Sequence, residues 1–119
     1  MLAPVENLSD AYTTGRASSE EIYRQIIDDV GVATSALPDT YPSSDVGRIT
    51  RGAALTLLAK VQMTQKKFPE AVNTLKRIAT LGYALQTDYK NCFAPAFKNN
   101  SESVFEIEYN PSRDGRSNN

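Results

Sequence analysis

The sequence predicts a mainly α-helical protein, and three observations lead to that prediction. A helix start signal at Ser18 is followed by apolar residues that recur every three or four positions. Residues 47–83 then carry two more helical patterns, separated by a short polar corner. Only residues 104–109 alternate apolar and acidic side chains as a half-buried strand does. We therefore expect a helical hairpin plus one further helix, with a short β-strand near the C terminus.

The first helix is predicted from a capping box. Glu21 follows Ser18 by three residues, so the hydroxyl can accept a backbone N–H of the first turn and the carboxylate can accept the N–H of Ser18 itself. The apolar positions that follow have a period near 3.6: Ile22, Ile26, Val30, Ala33 and Leu37, with Tyr23 and Ile27 widening the stripe. Gly31 costs about 1 kcal/mol relative to alanine inside a helix. We expect a second backbone to approach the helix there.

The hairpin is predicted from two helices rich in small residues. The first covers about residues 50–65 and the second residues 68–81, with Pro69 in the first turn and Gly82 as the stop signal. The spacing of large and small residues is typical of a tetratricopeptide-type hairpin: Leu58, Ala59, Phe68, Ala71, Leu75 and Ile78. Any other pair of packed helices is the alternative.

The pattern divides the chain into three parts. Residues 1–17 lack a sustained period and are predicted to form an extended lead-in, residues 18–109 hold the helical segment, and residues 110–119 form a polar, flexible tail. Residues 38–47 read as a surface connection, and residues 83–100 as turns and short helical pieces. The predicted strand at 104–109 has no obvious partner strand in the chain.

Composition limits the class of protein. The chain has 119 residues, of which 40% are hydrophobic, which suits one compact domain. No apolar run is long enough for a membrane span, and the first residues lack the pattern of an export signal. Residues 48–77 have a net charge of +6 and residues 1–47 one of −6. We expect these complementary halves to contact each other, and we predict no nucleic-acid binding.

No residue pattern predicts a catalytic, cofactor-binding or metal-binding site, so we expect a protein that is not an enzyme. Histidine, the commonest general base and metal ligand, is absent. The single thiol, Cys92, can form neither an internal disulfide nor a structural zinc site, and we expect it to fill a partly buried gap. Three carboxylate pairs are interpreted as solvated surface: Glu20 with Glu21, Asp28 with Asp29, and Glu106 with Glu108.

The order of the segments is more informative than any single motif. The segments are residues 16–29 (RASSEEIYRQIIDD), 37–41 (LPDTY), 45–54 (DVGRITRGAA), 57–61 (LLAKV), 68–71 (FPEA), 82–85 (GYAL) and 99–107 (NNSESVFEI). Taken together over about residues 16–109, they resemble the SusD/RagB family of outer-membrane nutrient-binding lipoproteins.

This resemblance implies a mostly helical, tetratricopeptide-like protein on the outward-facing surface of the outer membrane. Such a protein captures glycans or peptides and passes them to a TonB-dependent, SusC-like transporter. Members of the family are several times longer and begin with an export signal and a lipidated cysteine. We therefore expect this chain to be an internal fragment that acts mostly as scaffold and lacks the lipid anchor, its only expected link to the membrane.

The resemblance assigns no residues of this chain to a glycan site, so those residues are unknown from the sequence. Tyr109, Asn110 and Arg113 have the chemistry to stack on and hydrogen-bond a sugar, with a frayed chain end as the alternative. The alternative function is that of an independent tetratricopeptide-type adaptor, which would hold a partner peptide in a helical groove.

Overall fold

The computed structural model describes Ser9, Tyr12 and residues 15–107. Residues 15–107 contain three α-helices, α1 (Ser19–Ala36), α2 (Arg51–Thr64) and α3 (Phe68–Ala79). The loops contain short 3-10 helices. Ser43–Asp45 lies between α1 and α2, and Tyr89–Cys92 and Pro95–Phe97 follow α3. The mainly helical prediction is confirmed. Most of the predicted lead-in and all of the predicted tail lie outside the described residues, so the domain boundaries stay a prediction.

Helix α1 begins with the predicted capping box. The Glu21 backbone N–H donates to Ser18 Oγ over 3.2 Å, and the Ser18 N–H donates to Glu21 Oε2 over 2.9 Å. The hydrogen bonds from the backbone and then the side chain of Ser18 lower the pKa of Glu21, because they favour its charged form. At the other end, the Leu37 N–H closes the last turn on the Ala33 carbonyl. The sequence therefore defines both ends of α1.

Helices α2 and α3 form the predicted hairpin and hold most of the core. Leu55 and Ala59 of α2 are each 1% exposed, and Ala71 of α3 is 2% exposed. The buried hydroxyl of Thr74 lies 2.8 Å from Gln62 Oε1 and so links the two helices. The likeness of this hairpin to a tetratricopeptide repeat stays a prediction.

The corner between α2 and α3 is a Schellman motif that ends α2. Lys66 has φ of 60°, and its N–H donates to the Met63 carbonyl while the Lys67 N–H donates to the Gln62 carbonyl. A lysine therefore occupies the left-handed position that glycine usually takes. Because the chain reverses within three residues, α3 folds back directly on α2.

Helix α3 ends earlier than the sequence predicted, at Ala79 instead of residue 81. The Thr80 and Leu81 N–H groups donate to the carbonyls of Arg77 and Ile78, three residues back, which tightens the last turn. Gly82 follows with φ of 85°, so the predicted left-handed stop residue is confirmed.

The three helices form a row with α2 in the middle. Helix α2 packs against both α1 and α3, whereas no Cα atom of α1 lies within 8 Å of a Cα atom of α3. Val30 is the buried residue of α1. A Cβ atom on Gly31 would meet no atom within 4 Å, so the predicted backbone approach is not found within residues 15–107.

The structure corrects the predicted C-terminal strand. Residues 104–107 have no strand conformation, residues 108 and 109 lie outside the described part, and residues 15–107 contain no other strand to pair with. The sequence does alternate apolar and acidic residues here, but a β-strand also requires backbone hydrogen bonds to a neighbouring strand. The Glu106 carboxylate accepts the Asn99 N–H over 3.1 Å, so this side chain binds the preceding loop and does not extend from a strand surface.

Candidate functional site

A cleft of about 300 Å³ lies where three loop segments meet. Its lining residues come from within segments 39–50, called here the first wall, 81–83, called the floor, and 99–106, called the last wall. This cleft is the candidate site because backbone and polar side chains from distant parts of the chain converge there.

Arg51 joins the first wall to the start of α2. Its guanidinium lies 3.0 Å from the Asp39 carboxylate, its Nε donates to the Leu37 carbonyl over 3.2 Å, and its backbone N–H donates to the Pro38 carbonyl over 2.9 Å. Arg48 pairs with Asp45 over 3.1 Å. Both pairs lie close to the boundary between the acidic and the basic part of the chain.

Tyr83 fixes the floor of the cleft against α2. A Cβ atom on Gly52 would lie 2.8 Å from Cζ and 2.9 Å from Cε2 of the Tyr83 ring, so only glycine leaves room for the ring. The Tyr83 hydroxyl lies 3.4 Å from Thr50 Oγ1. Thr50 is the predicted N-cap residue of α2, but its side chain makes no capping hydrogen bond.

Glu102 connects the last wall to the segment after α3. Its Oε2 accepts the Gln86 N–H over 2.8 Å and the Cys92 thiol over 3.3 Å. A backbone hydrogen bond joins the same two segments, in which the Ala84 N–H donates to the Ser101 carbonyl over 2.9 Å. Partial burial, and then the hydrogen bond to Glu102, raises the pKa of Cys92, so the thiolate form is disfavoured. The thiol is half-buried, as predicted.

Several polar groups of the cleft are engaged within the chain. Asp39 and Arg48 form ion pairs, the Asn100 side chain bonds the Phe97 carbonyl and the Glu102 N–H, and Glu106 bonds Asn99. These contacts hold the walls in place. They form no arrangement of nucleophile, base and orienting group. The cleft is therefore a junction of three loops that contact one another through these bonds.

The first two predicted carboxylate pairs are at the surface, because Glu20, Glu21, Asp28 and Asp29 are all exposed. Glu106 of the third pair departs from the prediction, because it is half-buried and accepts the Asn99 N–H, and Glu108 lies outside the described residues. No group of three or more potential metal ligands occurs among residues 15–107. In the same range, no helix combines the length and apolarity needed to cross a membrane.

Sequence reasoning missed the residues that build the cleft. Gly52 gave a signal, because a glycine inside a helical pattern indicates either a destabilising site or a close approach. Glu102 and Arg51 gave none, since their partners lie 10 to 16 residues away along loops without periodicity. Tyr109, Asn110 and Arg113, the residues considered for sugar contact, lie outside the described part of the chain.

Comparison with known proteins identifies SusD-like relatives. The chain is 25% identical over 103 residues to SusD-like protein P25 of Formosa agariphila, an alignment that covers 86% of this chain and 20% of that protein. A solved structure of a SusD-like protein from Bacteroides fragilis NCTC 9343 matches 95% of the chain with a TM-score of 0.83 and 29% identity. No family model matches the sequence.

These matches confirm the predicted resemblance, because sequence and fold both point to SusD-like proteins. The chain spans about a fifth of the curated relative's length and 23% of the solved chain.

Proposed function

We propose that this chain is a scaffold segment of a SusD-like nutrient-binding protein. The observation that carries the proposal is the structural match, which includes nearly the whole chain but only 23% of the solved SusD-like protein. The engaged polar groups of the cleft support a framework role for this segment. Ligand contacts then belong to other parts of a longer molecule.

For the longer protein we also propose a ligand, a location and a partner. A SusD-like protein captures oligosaccharides at the outward-facing surface of the outer membrane and delivers them to a TonB-dependent, SusC-like transporter. Its membrane anchor keeps it close to that transporter. The support is the resemblance of the ordered segments over residues 16–109.

Affinity electrophoresis tests whether polysaccharides bind this segment or only the longer protein that contains it. The chain and the longer protein that contains it are run in native gels cast with amylopectin, laminarin, xylan or alginate, and in gels without polysaccharide as the control. We expect at least one polysaccharide to retard the longer protein and none to retard the chain. Retardation of the chain alone would contradict the scaffold role, and no retardation of the longer protein would contradict glycan capture.

Co-purification tests the transporter. The longer protein, carrying an affinity tag, is isolated from detergent-solubilised outer membranes, and the expected companion is a barrel transporter of the TonB-dependent class. Recovery without such a transporter would contradict the partnership.

The second candidate is an independent helical adaptor that holds a partner peptide. The α2–α3 hairpin favours it, because helical hairpins of this kind form peptide-binding surfaces when they are repeated. Repeats of about 34 residues in the sequence flanking this chain would support the adaptor. Flanking sequence that continues the alignment with SusD-like proteins would exclude it.

A further inference from the structure

Residues 87–100 form a loop whose two ends are bonded to each other. The Ala84 N–H donates to the Ser101 carbonyl over 2.9 Å, and Ser101 Oγ donates to the Ala84 carbonyl over 3.0 Å. The Gln86 N–H donates to Glu102 Oε2 over 2.8 Å, and Gln86 Nε2 donates to Ser101 Oγ over 2.7 Å. We call these hydrogen bonds the neck of the loop. A compact loop with bonded ends is an Ω-loop.

Inside the neck, the loop is held by contacts within itself. Its two 3-10 helices contact each other. The rings of Tyr89 and Phe93 meet edge to face, with their centroids 5.1 Å apart, and the Asn100 side chain donates to the Phe97 carbonyl over 2.9 Å. These bonds join residues that are close along the chain, so none of them has to break when the neck breaks.

The neck also receives a bond from the middle of the loop. The Cys92 thiol donates to Glu102 Oε2 over 3.3 Å, and this oxygen is the one that accepts the Gln86 N–H. Beyond the neck, the Asn99 N–H donates to Glu106 over 3.1 Å, which closes the loop further on its C-terminal side. No Cα atom of either 3-10 helix lies within 8 Å of a Cα atom of α1, α2 or α3. The loop is therefore separate from the helix row at the level of the backbone.

We propose that residues 87–100 of this chain open and close as one unit, with the side chains of Ser101 and Glu102 as the latch. The neck consists of a few hydrogen bonds at exposed or half-buried groups, whereas Leu55 and Ala59 of α2 are almost fully buried, so the loop opens more often than the helices unfold. Ser101 also lines the cleft, so the latch connects the state of the loop to the last wall of the cleft. This motion does not depend on the proposed nutrient-binding function.

Hydrogen exchange resolved at single amides by NMR tests the unit. The N–H groups of Asn91, Phe93 and Phe97 are bonded inside the loop and are expected to share one opening constant. Ser101→Ala removes two bonds of the neck and none of the bonds of these amides, and it is expected to raise that constant about tenfold at all three. Amides of α2 should not change. Ser103→Ala, the same substitution two residues further along, is the matched control.

Alkylation of Cys92 by N-ethylmaleimide gives a second readout. The thiol has to leave Glu102 to react, so Ser101→Ala is expected to speed alkylation by about the same tenfold factor, although the Ser101 hydroxyl does not bind the thiol. Glu102→Ala should raise the opening constant of the loop amides at least as much.

Three results would overturn the proposal. Unequal changes at the three loop amides in Ser101→Ala would show that the loop frays residue by residue. Equal exchange in Ser101→Ala and Ser103→Ala would show that the neck does not hold the loop closed. A parallel rise at the α2 amides would show that the loop opens only together with the helices.

Discussion

At the scale of single residues, the two helical glycines have opposite roles. Gly52 leaves the space that the Tyr83 ring fills, whereas no atom lies near the Cβ position of Gly31. Inside a helix, as at position 31, a glycine costs about 1 kcal/mol relative to alanine. Of these two glycines, only Gly52 has a contact within residues 15–107 that requires it.

Replacing each glycine by alanine separates these roles. Both changes add one methyl group, but only the methyl group at position 52 collides with Tyr83. We expect Gly31→Ala to raise the free energy of unfolding by about 1 kcal/mol, and Gly52→Ala to be less stable than Gly31→Ala by about 1–3 kcal/mol. Urea unfolding followed by circular dichroism measures both values. In a Tyr83→Ala background the penalty at position 52 should disappear, and a penalty that persists there would contradict the close contact.

The Cys92–Glu102 hydrogen bond predicts the reactivity of the thiol. Partial burial and Glu102 raise the pKa of Cys92, so less thiolate is present at about pH 8 than in an unstructured peptide. Glu102→Gln removes the negative charge and is expected to lower that pKa and to speed alkylation by iodoacetamide. Glu106→Gln, which changes a carboxylate that binds Asn99, is the control. Equal alkylation rates for the two variants would contradict the role of Glu102.

At the scale of elements, the N-terminus of α1 depends on one pair of side chains. Ser18→Ala removes the hydroxyl that accepts the Glu21 N–H and is expected to cost about 1 kcal/mol of unfolding free energy near neutral pH. Ser19→Ala, one residue along, is the control and should cost little. Chemical unfolding at neutral and acidic pH measures both.

The same pair predicts a pH dependence. The pKa of Glu21 is lowered from its ordinary value of 4.5 in the folded chain, so its contribution is fully present above that value. It is lost as the pH falls through the lowered pKa, because protonated Glu21 no longer favours the folded state. The cost of Ser18→Ala should therefore shrink in acid, and an undiminished cost at acidic pH would contradict the charged capping box.

The elements also show which features a sequence can predict. The capping box of α1 and the left-handed Gly82 were predicted because their causes lie within one turn of helix. The strand predicted at 104–109 is not found over residues 104–107. Alternation records which side chains are apolar, but pairing depends on a second strand. The cleft was not predicted, because Arg51 and Glu102 act on partners in distant loops.

At the scale of the whole molecule, the core is small and centred on α2. Outside α2, the buried apolar residues within 15–107 are Val30 of α1 and Ala71 of α3. Several large apolar side chains after α3 are exposed, among them Leu85, Tyr89 and Phe93. Stability is therefore concentrated in the helices.

Hydrogen exchange measures this distribution. Amides of α2 around Leu55 and Ala59 are expected to exchange most slowly, because their side chains are almost fully buried. Amides of residues 84–107 are expected to exchange much faster, since short turns and isolated side-chain bonds hold that segment. Protection of residues 84–107 equal to that of α2 would show that the cleft walls, and not the helix row, form the most stable unit.

The central place of α2 in the row also affects how the chain folds as it is made. The ribosome releases α1 first, before the helix that covers its buried Val30 has been synthesised. An isolated helix of this length is marginal in water. Compact structure of this helix row should therefore form only when α2 has left the exit tunnel, and in nascent chains halted before that point α1 should be open to proteases.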